Sequence, residues 1–401
     1  MRVAVLSANP KSGGGGYSNQ CGSLLERLAT HPAGDALALA SLRTSGTPSR
    51  DTGYDEYPLG MDLPDGNPRW CAAVARRLAP FAPDVVISLL DVRFLGRLAP
   101  ALAPAKWWAW VPVDCSPASP HDVAALQGCH KAIAMARFGE AQLQAAGVAN
   151  VVYVPLGVES DFTVTVDQDA RRAYRAQLAG EDCTHLTLIV AANTHGDRKN
   201  LPMQIAAWWA FSRNKPGARL YLHTGHRRPG APDLVALVRE LGIGDKVIFG
   251  PDAAGRLSTA EMVRLYNSSD VLMLCSRGEG VGLPVLEAQS CGTPAIVTNA
   301  SAQPELLRWG KKVSVVDMTY EPPLGAYWAL PDVTEILYAL EELYAEWQLA
   351  GGAWPLEQRR SVSAEIRSEF SWDVVFRKMW SPLVHGLSVD SVALSQAVSG
   401  G

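Results

Sequence analysis

The sequence predicts an α/β protein made of two Rossmann-like domains facing a cleft. Three observations carry this. A chain of 401 residues is too long for one ordinary core, so two domains are expected. Short apolar runs alternate with helix-period stretches in two series, separated by a polar break at 157–168, and such alternation implies parallel strands joined by right-handed crossovers. Each series also has a glycine-rich loop after a strand, at 13–16 and at 278–282. The 48% hydrophobic content is that of a globular protein. A dispersed net charge of −4 gives no basic stripe for nucleic acid. The basic pairs at 76–77, 171–172, 227–228 and 311–312 read as solvated faces. No run is long enough to span a membrane, and the chain enters a strand without a signal pattern, so a cytoplasmic protein is expected. Seven scattered cysteines with no Cys-x-x-Cys read as reduced thiols, with neither disulfides nor a metal site.

In chain order, 3–8 reads as a strand, 13–16 as the glycine loop and 17–29 as a helix with Leu24, Leu25 and Leu28 at core spacing. Those glycines would let backbone approach a ligand closely, or form a plain surface loop; both readings stand. Residues 43–68 read as a long variable loop suited to acceptor recognition. A helix over 69–78 follows, then strands over 84–90, 106–113, 131–134 and 151–155, with a helix over 138–146. Asp114 lies at the carboxyl end of its strand, where open α/β sheets bind ligands, although an Asp there also serves as a cap or turn former. Trp107, Trp108 and Trp110 suit either stacking on a ligand or a core.

The second series has strands over 185–192, 218–224, 246–250, 270–275, 295–298 and 312–316. Helices fall at 201–212, 232–241, 258–267 and from 283. After its first strand come Arg198 and Lys199, placed to neutralise a diphosphate or simply an exposed basic pair opening a helix. His195 is ambiguous, and His121 and His130 have no partners at metal spacing. Helices over 333–349, 356–370 and 372–386 end the ordered chain. The expected domains are thus 1–160, 161–370, a closing helix at 371–387 and a mobile tail at 388–401.

The stretch 276–300, SRGEGVGLPVLEAQSCGTPAIVTNA, organises the rest. It runs from a strand through glycines into a helix with Pro284 in its first turn, and Gly292 closes that helix. Free N–H groups and the dipole at such a helix start favour phosphate. Glu279 in the loop and Glu287 one turn inside can bind hydroxyls of a sugar and a ribose, so the stretch describes a nucleotide-sugar site. Glu287 alone would also be ordinary dipole complementation.

These residues resemble the retaining GT-B glycosyltransferases of family four (group 1). The likeness lies in Glu279 and Glu287 within GEGVGLPVLEAQSCGTPAIVT, with weaker support from the N-terminal glycine loop, Pro155-Leu-Gly-Val158, Arg198-Lys199-Asn200, Pro304-Glu305-Leu306 and Phe370-Ser-Trp372. The resemblance implies a GT-B fold whose last helix crosses back onto the first domain. It also implies that Glu279 contacts the donor sugar, Glu287 the ribose, and the amides of Val281, Gly282 and Leu283 the distal phosphate. Lys199 completes the charge, Gly15 and Gly16 approach the phosphate from the other domain, Asp114 lies near the anomeric carbon, and the base lies beside Gly250. The family usually has an arginine where this chain has Asn193, so either Arg198 takes over that phosphate contact or neutralisation of the diphosphate is weaker than usual. The expected activity is metal-independent transfer, with retention, from a nucleoside diphosphate sugar, with no cofactor. The acceptor is open among glycan, lipid, protein, nucleic acid and small molecule. Arg69, Trp70, Arg76 and Arg77 hint at weak membrane association. A nucleotide-sugar epimerase and a degenerate sugar-nucleotide-binding protein are the alternatives.

Overall fold

The computed structural model describes residues 1–12, 15–42, 47, 49–50, 53–60, 67–165, 167–191, 197–225, 231–251 and 257–386. Gly13, Gly14, Asn193, His195 and the tail at 388–401 lie outside the described residues, so the expectations placed on them stay expectations. The first sheet is formed by β1 (Arg2–Ala8), β2 (Ala36–Leu42), β3 (Ser49–Arg50), β4 (Asp55–Pro58), β5 (Val85–Leu89), β6 (Lys106–Val111), β7 (Lys131–Ala134) and β8 (Val151–Tyr153). Its order is β3-β4-β2-β1-β5-β6-β7-β8, parallel except for β3. The second sheet is formed by β9 (His185–Val190), β10 (Ala218–His223), β11 (Val247–Phe249), β12 (Val271–Leu274), β13 (Ala295–Thr298) and β14 (Gly310–Val313). Its order is β11-β10-β9-β12-β13-β14, all parallel.

Both sheets are doubly wound. In each, strand order reverses next to the first strand, at β1/β5 and at β9/β12, and the carboxyl ends on either side of such a reversal form a ligand crevice. β5, β9, β12 and β13 are buried along their whole length, which explains their predominantly apolar composition.

Two regions differ from the sequence expectation. The supposed loop at 43–68 contains β3 and β4, and β2 precedes it. β2 reads ALALASL, a composition that favours helix by propensity, yet it is buried from Leu37 onwards and pairs with β1 over seven residues. The expected strand at 312–316 is divided between β14 and a separate hairpin, β15 (Val315–Glu321) and β16 (Ala326–Pro331). This hairpin carries exposed Val316, Met318, Tyr320 and Tyr327, and its buried positions on β16 and the turn are small or few (Leu324, Ala326 and Ala329), so no apolar run announces it.

The chain crosses between domains twice, side by side. Val158 N–H donates to Phe370 O at 2.8 Å, and Trp372 N–H to Val158 O at 3.0 Å. Gln20 brackets Gly157 with two hydrogen bonds, 2.9 and 3.1 Å. Gly157 permits the crossing because a Cβ there would lie 2.5 Å from the Trp372 ring. The last helical stretch, Trp372–Val375, Phe376–Trp380 and Ser381–His385, lies on the first domain. Its central turn is a π-helix. Trp372 and Trp380 meet Trp110 of β6 edge-on at 6.3 and 4.8 Å. His385 reaches Asp35 at 2.7 Å. Trp107 and Trp110 are therefore core residues, and Trp108 is 6% exposed. Trp70, part of the hinted membrane face, is buried as well.

Candidate functional site

The loop after β12 is held by polar side chains beneath it. Gln204 and Asn200 bond the N–H and carbonyl of Cys275 at 2.9 and 3.1 Å. Thr298 and Gln303 both donate to the Ser276 carbonyl, at 2.7 and 3.0 Å. With four buried partners the backbone cannot drift, so the acid three residues on has a fixed address. Gly282 ends the loop with φ +105°, a conformation that glycine adopts freely, and the helix Leu283–Ser290 starts there with Pro284 in its first turn. The N–H groups of Gly282 and Leu283 thus head a helix on the crevice side of the sheet.

Glu279 is 5% exposed. Its Oε1 accepts from Lys199 Nζ at 2.6 Å and from the Ser276 hydroxyl at 2.6 Å, and its Oε2 from Arg198 at 3.2 Å. Ser301 accepts from its backbone N–H at 3.0 Å. Burial pushes the Glu279 carboxyl up, but Lys199 and Arg198 outweigh it and hold the pKa at about 2. Burial also pulls the Lys199 ammonium down while Glu279 pulls it up, with a net fall. At 2.6 Å and with Arg198 alongside, the pair is ionised at neutral pH, Glu279 as carboxylate and Lys199 as ammonium. The juxtaposition depends on β9 and β12 being neighbours, since each residue follows one of them.

Arg198 links the two domains. It donates to Gly278 O at 2.7 Å and lies 3.6 Å from Asp114 Oδ2. Asp114, at the end of β6, also accepts from the Trp328 indole at 3.3 Å. Gly278 and Gly280 face this strand end at very close range: a Cβ at Gly278 would lie 2.1 Å from Asp114 O, and one at Gly280 2.3 Å from Pro112 Cβ. These two glycines therefore serve clearance between domains, a reason that spacing alone does not reveal. Gly16 opposes Leu283 across the cleft, where a Cβ would lie 3.5 Å from Leu283 Cδ1, and Gly15 sits beside it at φ +111°. Glu305 completes the closure by accepting from the N–H groups of Arg137 and Phe138, at 2.9 and 2.5 Å, at the start of a first-domain helix. Gly280→Ala is expected to force the domains apart at a cost of about 1–3 kcal/mol. Small-angle scattering should record a larger radius of gyration, and an unchanged radius would refute the clearance role.

Glu287 accepts from the Tyr266 hydroxyl at 2.6 Å, and burial raises its pKa. Gly250 follows β11, its N–H bonded to Leu222 O at 2.9 Å. The structure thus brings Glu279, Lys199, Arg198 and Asp114 into one ion-paired group, with Gly16 and Leu283 opposed across the same cleft. Ser276, Ser301, Tyr266 and Trp328 were not visible as site residues from the sequence; only the stretch containing Ser276 pointed to any of them. Among the described residues no grouping of three or more His, Cys, Asp or Glu could hold a metal ion. No described helix is long and apolar enough to cross a membrane. All seven cysteines are free thiols.

Residues 186–321 match the family model described as glycosyl transferases group 1, and the match includes both glutamates. The D-inositol 3-phosphate glycosyltransferase of Mycobacterium sp. (strain KMS) is 37% identical over 105 residues, 25% of this chain and 23% of that protein. The mannosylfructose-phosphate synthase of Agrobacterium fabrum is 24% identical over 191 residues, 46% of this chain and 40% of that one. These matches span between about a quarter and two-fifths of the relatives' lengths. Among solved structures, a sucrose-phosphate synthase from Thermosynechococcus elongatus superposes with a TM-score of 0.73 at 18% identity, covering 96% of this chain and 99% of that one. HepE of Anabaena, in complex with UDP and glucose, gives 0.69 at 16% identity, covering 96% and 100%. The fold is GT-B, and the resemblance to group 1 glycosyltransferases read from the Glu279 stretch stands.

Proposed function

We propose that this chain, whose second domain carries the group 1 glycosyltransferase sequence, moves a sugar from a nucleoside diphosphate sugar to an acceptor with retention at the anomeric carbon. The observation that carries this reading is the buried Glu279 held between Lys199 and Arg198, beside the N-terminus of the Leu283–Ser290 helix. An acid with two cations and a helix dipole suits a ligand that is polyhydroxylated at one end and dianionic at the other.

In this reading the diphosphate lies against the amides of Val281, Gly282 and Leu283, with Lys199 and Arg198 taking the charge that develops as the glycosidic bond breaks. These cations supply what a metal ion supplies elsewhere, so a chelator should leave the rate unchanged. Glu279 accepts from donor sugar hydroxyls, and its ion pairs keep it from swinging away. Glu287, fixed by Tyr266, takes the ribose hydroxyls, and the base lies beside Gly250. Asp114 faces the reacting carbon from the other domain. HepE, a structural neighbour, was solved with UDP and glucose, which supports a uridine donor as the first to try.

A screen of nucleoside diphosphate sugars, with free diphosphate release as readout and mass spectrometry of products formed in cell extract, tests the proposal. A glycosylated product whose new linkage keeps the donor's anomeric configuration is the expected result. Saturable donor binding with no diphosphate release over a broad acceptor panel would reject transfer.

A further inference from the structure

The β15–β16 hairpin belongs to the second sheet's half of the chain, yet it is fastened to both sides of the cleft. Ser116 and Tyr327 exchange backbone hydrogen bonds at 3.1 and 3.3 Å, the Ser119 hydroxyl donates to Leu324 O at 2.7 Å, and Leu324 and Ala326 pack with Cys115 in a small apolar cluster. On the other side, Ala329 N–H donates to Arg277 O at 3.0 Å. One strand, β16, thereby ties the loop after β6 to the loop after β12. Between those two anchors sits Trp328, its indole N–H on Asp114 Oδ1 at 3.3 Å and its ring against the space in front of Gly278.

The indole bond is not needed to dock the hairpin, because the backbone pair, the Ser119 bond and the apolar cluster already do so. Nor does this fold satisfy every indole N–H group: those of Trp107 and Trp354 donate to Ser88 and to the Asp270 carbonyl at 2.9 and 2.7 Å, whereas those of Trp108, Trp110, Trp208, Trp347, Trp372 and Trp380 are buried without a protein partner. The Trp328 N–H is instead aimed at a carboxylate that is 24% exposed and is reached on its other oxygen by Arg198. A carboxylate with a guanidinium on one side and nothing on the other would turn towards the guanidinium. That turn would draw Arg198 away from Glu279 and move Asp114 off the cleft axis.

We propose that Trp328 is a positioning residue for transfer. Its indole N–H holds the Asp114 carboxylate in reacting orientation against the pull of Arg198, and it can do so only while β16 bridges the two domains. The assignment rests on the reading that Asp114 faces the reacting end of the donor. It also makes the hairpin, which lies outside the Glu279 stretch, part of the device that couples closure to chemistry.

Trp328→Phe keeps the ring packing and removes the donor. Losing a hydrogen bond to a charged group should lower kcat about tenfold while donor KM and diphosphate affinity change by less than about twofold. In an Asp114→Asn background the same substitution should have no further effect, since the group it orients is gone. Trp328→His places an imidazole Nε2 where the indole Nε1 lay when the five-membered rings are superposed, and should recover part of the lost kcat. It also supplies the test if the Phe variant folds poorly by circular dichroism. A slow Asp114→Asn combined with an unimpaired Trp328→Phe, or a tenfold loss that persists in the Asp114→Asn background, overturns the role of Trp328 alone. An unimpaired Asp114→Asn removes the Asp114 reading and this inference with it, while diphosphate release by the native protein keeps the transfer reading intact.

Discussion

Glu279→Gln is expected to lower transfer by about 10²- to 10³-fold, the loss typical of one well-placed polar group at a charged transition state, with nucleoside diphosphate affinity kept within a few-fold. The split follows from the geometry. Glu279 bonds Lys199, Arg198 and Ser276, and none of these contacts is needed to hold a diphosphate. Removing the charge frees both cations for the ligand, which offsets the lost order. The unliganded protein should behave differently. A carboxyl held at about 2, below its ordinary 4.5, by Lys199 and Arg198 contributes to folding at neutral pH. Because the folded value lies below the unfolded one, that contribution is present in full above about pH 4.5 and fades as pH falls through about 2. The glutamine variant lacks it at every pH and leaves two neighbouring cations without their acid. It should melt lower than the native protein at neutral pH while keeping a similar gain from added diphosphate, which thermal shift with and without UDP would show. Near-normal turnover would sink the sugar-binding role.

What the sequence announced, and what it withheld, divides along physical lines. A buried parallel strand such as β12, VLML, shows as an unbroken apolar run because both faces are covered. The Glu279 loop was legible because strand, glycines, acid and helix start are contiguous. β2 was not, since ALALASL satisfies helical propensity and only its place beside β1 makes it a strand. The hairpin was missed for the opposite reason: its outward side chains are exposed and follow no burial pattern. Contacts between distant segments were beyond reach as well. Trp328 meets Asp114 across 214 positions, and Glu305 meets Phe138 across 167. Gly278 and Gly280 show how one residue type carries two messages. Glycine after a strand suggested room for phosphate, whereas at these two positions the space is taken by Asp114 and Pro112 of the facing domain. Only Gly282 in that loop needs a left-handed backbone.

Lys199→Ala should weaken nucleoside diphosphate binding about 10- to 100-fold, as expected for a charge-assisted hydrogen bond lost inside a largely buried site. Two effects add. The ammonium no longer meets the phosphate, and Glu279, deprived of its 2.6 Å partner, becomes a buried negative charge relieved by Arg198 and Ser276 alone. That uncovered charge repels the incoming diphosphate, so the single variant overstates the direct contact. Combining Lys199→Ala with Glu279→Gln separates the terms: stability should recover because the unpaired acid is gone, while affinity should recover only partly because the ammonium is still missing. Calorimetric titration with UDP reads both. Full recovery of affinity in the double variant would make Lys199 merely the counter-ion of Glu279, and native affinity in the single variant would remove it from the diphosphate site altogether. The intermediate outcome is the one the geometry favours, because Lys199 is 12% exposed and lies in the crevice between the β9 and β12 strand ends. There it keeps the acid charged when the site is empty and can turn to the leaving group when the site is full.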